Sequence, residues 1–312
     1  MKKNTIFVAG HNGFVGRAIV RRLNFFGYYD IITASKEELD LKNQKKVFNF
    51  IKKKKPNSII VAAAKTGGIF FNLKNQSQIL YDNLCIQNNL IEGARQNNVK
   101  NLIFLASSSI YPTYAKQPLK ESSLLSGFLE KSHEPFSIAK ISGAKLCQYY
   151  NIQYKANFKT LVLPNIYGPE DNYDLSKSSF FPALIKKIYL LKIKNLTTLQ
   201  LFGNSNTKRE LIYVDDVADA CIYFLNKRIK NNILNIGSNF ELTIKDYAIF
   251  IAKKLNIKIK IKFTKSSYKG VKRKILNSKI AIKYGWKPKV DLENGFIKTF
   301  TNFLEKNKKD KY

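Results

Sequence analysis

A short apolar strand that runs straight into three spaced glycines constrains this chain more than any other feature. Thr5-Ile-Phe-Val-Ala9 is followed at once by Gly10-His-Asn-Gly13-Phe-Val-Gly16 and then by an amphipathic helix to about Leu23. Each glycine has its own physical task. Gly10 permits the tight turn, Gly13 lets the backbone approach a pyrophosphate, and Gly16 allows helix and strand to pack closely. Phosphate would rest on the helix N-terminus, where free N–H groups and the dipole favour negative charge. The segment therefore reads as a dinucleotide site.

The next strand (31–34) and the residues after it support that reading. An acid there would bind a ribose 2′-hydroxyl, and a base would pair with a 2′-phosphate. The sequence has Ser35-Lys36, with Asp40 beyond. Lys36 favours NADP(H), but one lysine states this less firmly than an arginine fork, so NAD(H) and a plain surface lysine both stay open. A helix (44–54), a strand (58–62), the small-residue turn Ala63-Ala-Lys-Thr-Gly-Gly68, a long helix (79–97) and a strand (102–105) continue the rhythm. Such alternation predicts an α/β fold with a right-handed, doubly wound parallel sheet.

The strand at 102–105 ends in Phe104-Leu-Ala-Ser-Ser-Ser-Ile-Tyr-Pro112, and Glu134-Pro-Phe-Ser-Ile-Ala-Lys140 opens a helix running to about Tyr154. Pro135 suits a first helical turn, and Lys140 lies one turn beyond Phe136 on the same face. Hydroxyls at a strand end, offered to a lysine on a helix, are the layout of an active site in an open parallel sheet. Another strand (160–163) ends in Pro164-Asn-Ile-Tyr-Gly-Pro169. The rhythm then loosens: a helix (180–191), a strand (199–202), a turn (203–207), a strand–helix pairing from Lys208 to Asp216, a helix (244–255), a strand (257–263), a basic run (269–274) and one or two last helices. The expected division is a dinucleotide-binding Rossmann domain over 1–165, with 208–230 returning to it, and a smaller C-terminal substrate domain over 166–312.

Lys and Arg total 54 against 22 Asp and Glu, a net charge of +32. The lysines are spread along the chain, and runs such as 52–55 and 306–311 read as solvated helix ends and a tail. No nucleic-acid signature accompanies them, so an anionic small molecule is the better partner and no nucleic acid is expected. No apolar run approaches the roughly 18 residues that a membrane span needs. Met1-Lys2-Lys3-Asn4 enters a strand directly, so a cytoplasmic protein is expected. Cys85, Cys147 and Cys221 read as buried thiols in a reducing compartment. With only His11 and His133, no metal site is expected.

Together the motifs resemble the extended short-chain dehydrogenase/reductase family, and within it the GDP-L-fucose synthases. The resemblance rests on 9–16, Ala62-Ala-Ala-Lys-Thr-Gly-Gly-Ile69, Ser107-Ser-Ser-Ile-Tyr-Pro112, 134–140, Asn165-Ile-Tyr-Gly-Pro169 with Asp171-Asn172, and Arg209-Glu210 with Val214-Asp-Asp216. It implies NADP(H)-dependent epimerisation at C3 and C5 and reduction at C4 of GDP-4-dehydro-6-deoxy-D-mannose, by a homodimer built on helices 79–97 and 137–154. Ser107 would hold the ketone oxygen and Lys140 the nicotinamide ribose. The cofactor would also meet Gly10, His11, Asn12, Gly13, Phe14, Val15, Gly16, Lys36, Asp40, Leu105, Ala106, Ser108, Leu163, Pro164, Asn165 and Ile166. Lys187, Phe202, Arg209 and Asn277 match substrate-binding positions.

The departures from that family are chemical. Phe136 stands where the family has its proton-donating tyrosine, Ser109 where it has the epimerising cysteine, and Ser179 where it has a histidine. Phe202 replaces a tryptophan, Asn277 an aspartate, and Asn12 an arginine. Positioned acid–base groups are worth about 10²–10⁴ in rate each. Two readings remain: an epimerase/reductase whose altered site does part or all of the reaction, or a degenerate homologue that binds dinucleotide and nucleotide sugar as a sensor or oligomer partner without turnover.

Overall fold

The computed structural model describes residues 4–27, 29–264 and 270–309. Lys269, first of the forecast basic run, and the last residues of the forecast tail lie outside them. In chain order the elements are β1 (Asn4–Ala9), α1 (Phe14–Phe26), β2 (Tyr29–Ile32), α2 (Gln44–Lys54), β3 (Ser58–Val61), α3 (Ile69–Lys74), α4 (Gln76–Gln96), β4 (Asn101–Ser107), α5 (Glu134–Tyr154) and β5 (Asn157–Leu163). The second half contains β6 (Asn165–Tyr167), α6 (Phe180–Ile193), β7 (Thr198–Phe202), β8 (Lys208–Tyr213), α7 (Val214–Leu225), β9 (Ile233–Asn235), β10 (Glu241–Thr243), α8 (Ile244–Lys254), β11 (Lys260–Thr264), β12 (Arg273–Lys274), α9 (Lys279–Lys283) and α10 (Leu292–Lys309).

Six strands form a parallel sheet in the order β2-β1-β3-β4-β5-β9. β3 and β4 are continuous apolar runs because helices cover both faces of the sheet, which leaves no wet side to call for alternation. On one face α1, α7 and α9 pack Ala18, Ile19, Leu23, Val217 and Phe224 against Ile6, Val8 and Ile103. On the other α2, α4 and α5 pack Val47, Ile51, Leu90 and Ile141 against Phe7, Ile59 and Phe104. The chain crosses β1 between β2 and β3, so successive strands depart in opposite directions from the β1–β3 boundary. Ligands of open α/β sheets bind in the crevice above such a boundary.

A second lobe has its own core of Tyr167, Phe181, Leu184, Leu211, Tyr247, Phe296 and Phe303. It holds the strands β10-β8-β12, with β6 beside β8, and the parallel pair β11-β7. The segment 208–230 is divided between the two lobes. α7 packs on α1 against the main sheet, whereas β8 pairs with β6, β10 and β12. The sixth strand of the main sheet is instead β9, three residues that no sequence pattern marked. β2 pairs with Asn4 to Phe7 of β1 and ends at Ile32, short of the forecast Ala34. α3, not forecast, fills the space between Gly68 and α4.

α2 is capped by the Asn43 side chain, which accepts from the Lys46 N–H at 3.0 Å. Its last turn carries Lys52, Lys53 and Lys54, all exposed, where cations oppose the negative end of the dipole. Cys147 and Cys221 are buried, while Cys85 on α4 is only half-buried. No helix among the described residues is long and apolar enough to cross a membrane.

One core residue breaks the apolar pattern. Lys159, in the middle of β5, is 1% exposed and donates to the Leu225 carbonyl at 3.3 Å. Burial pushes its pKa down to about 7. The unfolded chain holds that proton up to about pH 10.4, so between pH 7 and 10 the unfolded state binds more protons and stability must rise with pH. Denaturant titrations at pH 7 and pH 9 should show this as a gain of at least 1 kcal/mol, roughly half of which Lys159→Met removes; a flat pH dependence in the unmodified protein would contradict the burial of an uncompensated amine.

Candidate active site

The glycine loop lies at the β1–β3 boundary. Gly10 has φ +89°, and a Cβ on it would stand 2.6 Å from the Ala63 nitrogen at the end of β3. A Cβ on Gly16 would stand 2.0 Å from the Gly10 carbonyl oxygen, so no other residue fits there. Gly13 is different: its N–H donates to the Gly10 carbonyl at 3.0 Å, and it begins α1 with no side-chain cap. The first turn of α1 has no acidic residue, which leaves its N–H groups and positive dipole end to an anion. The Nδ1 of His11 is buried there without a partner. Lys36 is exposed and Asp40 accepts from the Lys42 N–H at 3.0 Å. These residues fit a dinucleotide phosphate.

The next wall of the crevice is the carboxyl edge of β4 and β5, where Ser107 and Leu163 are direct partners across the ladder. Leu105, Ala106, Ser108 and Leu163 are buried, Pro164 comes next, and Asn165 donates to the Glu210 carbonyl at 3.2 Å beside Ile166. Ser107 caps a 3₁₀ turn (Ser108–Ile110) by accepting from the Ser109 N–H at 3.3 Å. The Ser109 hydroxyl is buried with no partner. Tyr111 points away from chemistry: its hydroxyl donates to Asn235 at 2.6 Å in the interior.

α5 packs against β4 and the 3₁₀ turn and brings Lys140 to them. Lys140 is 4% exposed, and among the described residues it has neither hydrogen bond nor ion pair. Its ammonium lies 4.5 Å from the centre of the Phe104 ring and 5.7 Å from that of Phe136. Burial alone pushes its pKa down to about 7. A buried cation satisfied only by ring faces is an unfilled donor, suited to a hydroxyl-bearing ligand. Ser137, next to Phe136, is fully buried with an unpartnered hydroxyl.

The second lobe supplies positive charge. Arg209 on β8 and Lys274 on β12 are direct neighbours across a parallel ladder. Like charges so placed repel. One carboxylate answers them: Glu130 accepts from Lys274 at 2.6 Å, and its charge is also felt at Arg209. Arg209 also donates to the carbonyls of Lys208 and Val271, each at 2.8 Å. Desolvation lowers the pKa of both cations. Two partly buried cations beside one anion leave a place for a further negative group. Lys187 lies 5.8 Å from the centre of the exposed Phe202 ring. Asn277 instead serves the fold, accepting from the Lys279 N–H at 3.1 Å at the start of α9. Ser179 is the exposed N-cap residue of α6, close to the Gly68 turn, whose N–H donates to the Lys177 carbonyl at 3.2 Å.

The sequence pattern described as the NAD dependent epimerase/dehydratase family matches residues 6–237. The chain belongs to that family. It is similar to a GDP-L-fucose synthase of Sinorhizobium fredii, 42% identical over 96% of this chain and 95% of that protein. It is similar to the GDP-L-fucose synthase of Escherichia coli, 37% identical over 98% of both. Among solved structures, the GDP-mannoheptose C4 reductase of Campylobacter jejuni with NADP bound superposes with a TM-score of 0.88 at 32% identity, covering 97% of this chain and 99% of that one.

In this epimerase/dehydratase, the glycine loop and Ser107 stand at the carboxyl ends of strands of one sheet, Lys140 lies on the helix packed against β4, and Arg209 belongs to a cationic cluster on β8 and β12. That cluster includes residues the motifs did not single out: Glu130, Lys274 and His133. His133 is the N-cap residue of α5, directly ahead of the Glu134-Pro135 pair, and its place at a helix start was the available signal. A residue kept for a ligand at the expense of the fold leaves a thermal signature. Lys140→Met should raise the melting temperature of the ligand-free protein by several degrees at pH 7; a lowered melting temperature would show that Lys140 is a structural lysine.

Proposed function

We propose that this chain is an NADP(H)-dependent nucleotide-sugar epimerase/reductase that converts GDP-4-dehydro-6-deoxy-D-mannose to GDP-L-fucose. The observation that carries the reading is Lys140, a buried cation with no polar partner, on the helix packed against the Ser107 edge. Relatives named GDP-L-fucose synthases, aligned over nearly the whole chain, supply the substrate class. NADPH would lie on the glycine loop and the first turn of α1, along 105–108 and 163–166, with Lys36 and Asp40 toward its adenosine end. Bound there, it supplies the hydride for the sugar's C4.

The chain's own residues divide the remaining work. Ser107 donates to the ketone oxygen, and Lys140 holds the nicotinamide ribose and keeps positive charge beside the developing alkoxide. Arg209 takes the diphosphate, where a guanidinium meets phosphate oxygens. Phe202 offers a ring face and Lys187 a cation beside it, while the Asn277 side chain is engaged at the start of α9. Phe136 has no proton to give, and Ser109 and Ser179 are poor acids and bases at neutral pH. The reaction should therefore run slowly. A second reading, a homologue that binds both ligands without turnover, is favoured by the Phe136 ring lying against Lys140 where a hydroxyl would be.

A homodimer is part of the proposal. Tyr81 on α4 and Tyr149 and Ile152 on α5 are each more than half exposed, an apolar surface on adjacent helices. We also take residues 1–165 with α7, β9 and α9 as the cofactor half, the remainder of 166–312, β8 included, as the substrate half, and the three unpaired cysteines as fitting the cytoplasm.

Purified protein given NADPH and GDP-4-dehydro-6-deoxy-D-mannose should oxidise the cofactor and form GDP-L-fucose. Phe136→Tyr should raise kcat about 10²-fold. No turnover by either protein, with NADPH still bound, would reject this substrate; turnover by the variant alone would establish the non-catalytic reading for the natural chain.

A further inference from the structure

Reduction of a ketone needs a proton as well as a hydride, and on α5 the side chain placed to give one is a phenyl ring. One turn before Phe136 lies His133, the other imidazole of the chain being His11 in the glycine loop. The Nδ1 of His133 is 2.9 Å from the Ser132 hydroxyl, and that hydroxyl donates to Glu130 at 3.3 Å. We place the hydroxyl hydrogen on the carboxylate, which makes the Ser132 oxygen the acceptor for Nδ1–H. The mobile proton of His133 is therefore the one on Nε2, and Nε2 has no hydrogen-bond partner among the described residues.

The surroundings of the ring connect the two parts of the site. Glu130, which accepts from Ser132, also pairs with Lys274, and Lys274 is the ladder neighbour of Arg209. His133 thus lies between the first turn of α5, which carries Phe136, and the cation pair proposed for the diphosphate. We propose that His133 is the proton donor to the sugar's C4 oxygen, in place of the hydroxyl that Phe136 lacks. The inference rests on the reading of the site as a GDP-sugar reductase. As hydride reaches C4 the carbonyl π pair moves onto oxygen, the N–H bond at Nε2 breaks, and the proton passes to that oxygen. Water then reprotonates the neutral imidazole.

The charges around the ring make this donor responsive to substrate. Desolvation lowers the pKa of His133, as do Lys274 and Arg209, while Glu130 raises it; the net direction is down. The positive end of α5 acts in the same downward sense. The resting imidazole is therefore neutral at pH 7. A diphosphate at Arg209 and Lys274 cancels two of the repelling charges, so its arrival raises the proton affinity of Nε2.

Two measurements test this. In imidazole NMR of the whole protein, with His133→Asn to assign the two histidines, GDP should move the His133 titration midpoint up by about half a pH unit or more. A midpoint unmoved by saturating GDP overturns the proposal. In turnover, His133→Asn should lower kcat about 10²-fold with KM and NADPH affinity kept. The natural protein's kcat should fall as pH rises through the imidazole's pKa, because the acid form is the donor. Phe136→Tyr in the His133→Asn background should restore kcat and remove that pH dependence. A His133→Asn enzyme with unchanged kcat and pH profile overturns the role of His133 and leaves the substrate reading standing. A natural protein that is silent while Phe136→Tyr turns over also overturns it, and silence from both overturns the substrate reading as well.

Discussion

The contact between Gly16 and the Gly10 carbonyl is the constraint on which the rest of the molecule depends. It lets α1 lie close enough to β1 for the first turn of the helix to open directly above the sheet edge. A side chain at either position would push helix and strand apart, and the crevice at the β1–β3 boundary would lose its floor. β3 then brings Ala63 against Gly10, β4 delivers Ser107 on the next strand, and β5 sets Leu163 beside Ser107. The site is thus a row of strand ends, each placed by the ladder bonds of its neighbour.

Around that row the protein buries charge that a plain core would not contain. Lys140 has ring faces for company, Lys274 beside Arg209 pairs with Glu130, and Glu210 is fully buried with its pKa pushed up to about 7 by desolvation. Glu210 accepts from the N–H groups of Asn239 and Leu276, which ties β8 to two loops. Asn235 at the end of β9 accepts from Tyr111 and donates to the carbonyls of Leu119 and Asn277, tying the edge of the main sheet to the loops that cover it. The two kinds of buried polar group differ in purpose. Glu210 and Asn235 have partners and fix geometry, whereas Lys140 has only ring faces beside it among the described residues.

Much of the first half was legible because its signals are local. α2 and α5 begin and end where the residues indicate, since Asn43 and the Glu134-Pro135 pair mark helix starts whatever surrounds them. β9 was not legible: a three-residue strand ending in asparagine looks like a loop, and its asparagine is explained only by Tyr111, 124 residues earlier. The placement of β8 beside β6 and β10 likewise depends on partners distant in sequence. The family motifs drew attention to Ser107, Lys140 and Arg209, but not to the charges around them. Glu130 and Lys274 are 144 residues apart, so nothing near either one announces the pair. His133 was visible as a residue and silent as a group, because its meaning comes from Ser132, Glu130 and the cations of the other lobe.

The pairing of β12 with β8 also has a consequence for how the molecule comes into being. Emerging from the ribosome, the chain completes its six-stranded sheet only once Asn235 is out, and the crevice with the glycine loop and Lys140 can then close. Arg209 has by that time been synthesised, yet its ladder neighbour Lys274 has not. The cluster around Arg209 therefore gains its second cation only after the glycine loop and Lys140 have been made, with α9 for the main sheet and α10 for the second lobe still to follow.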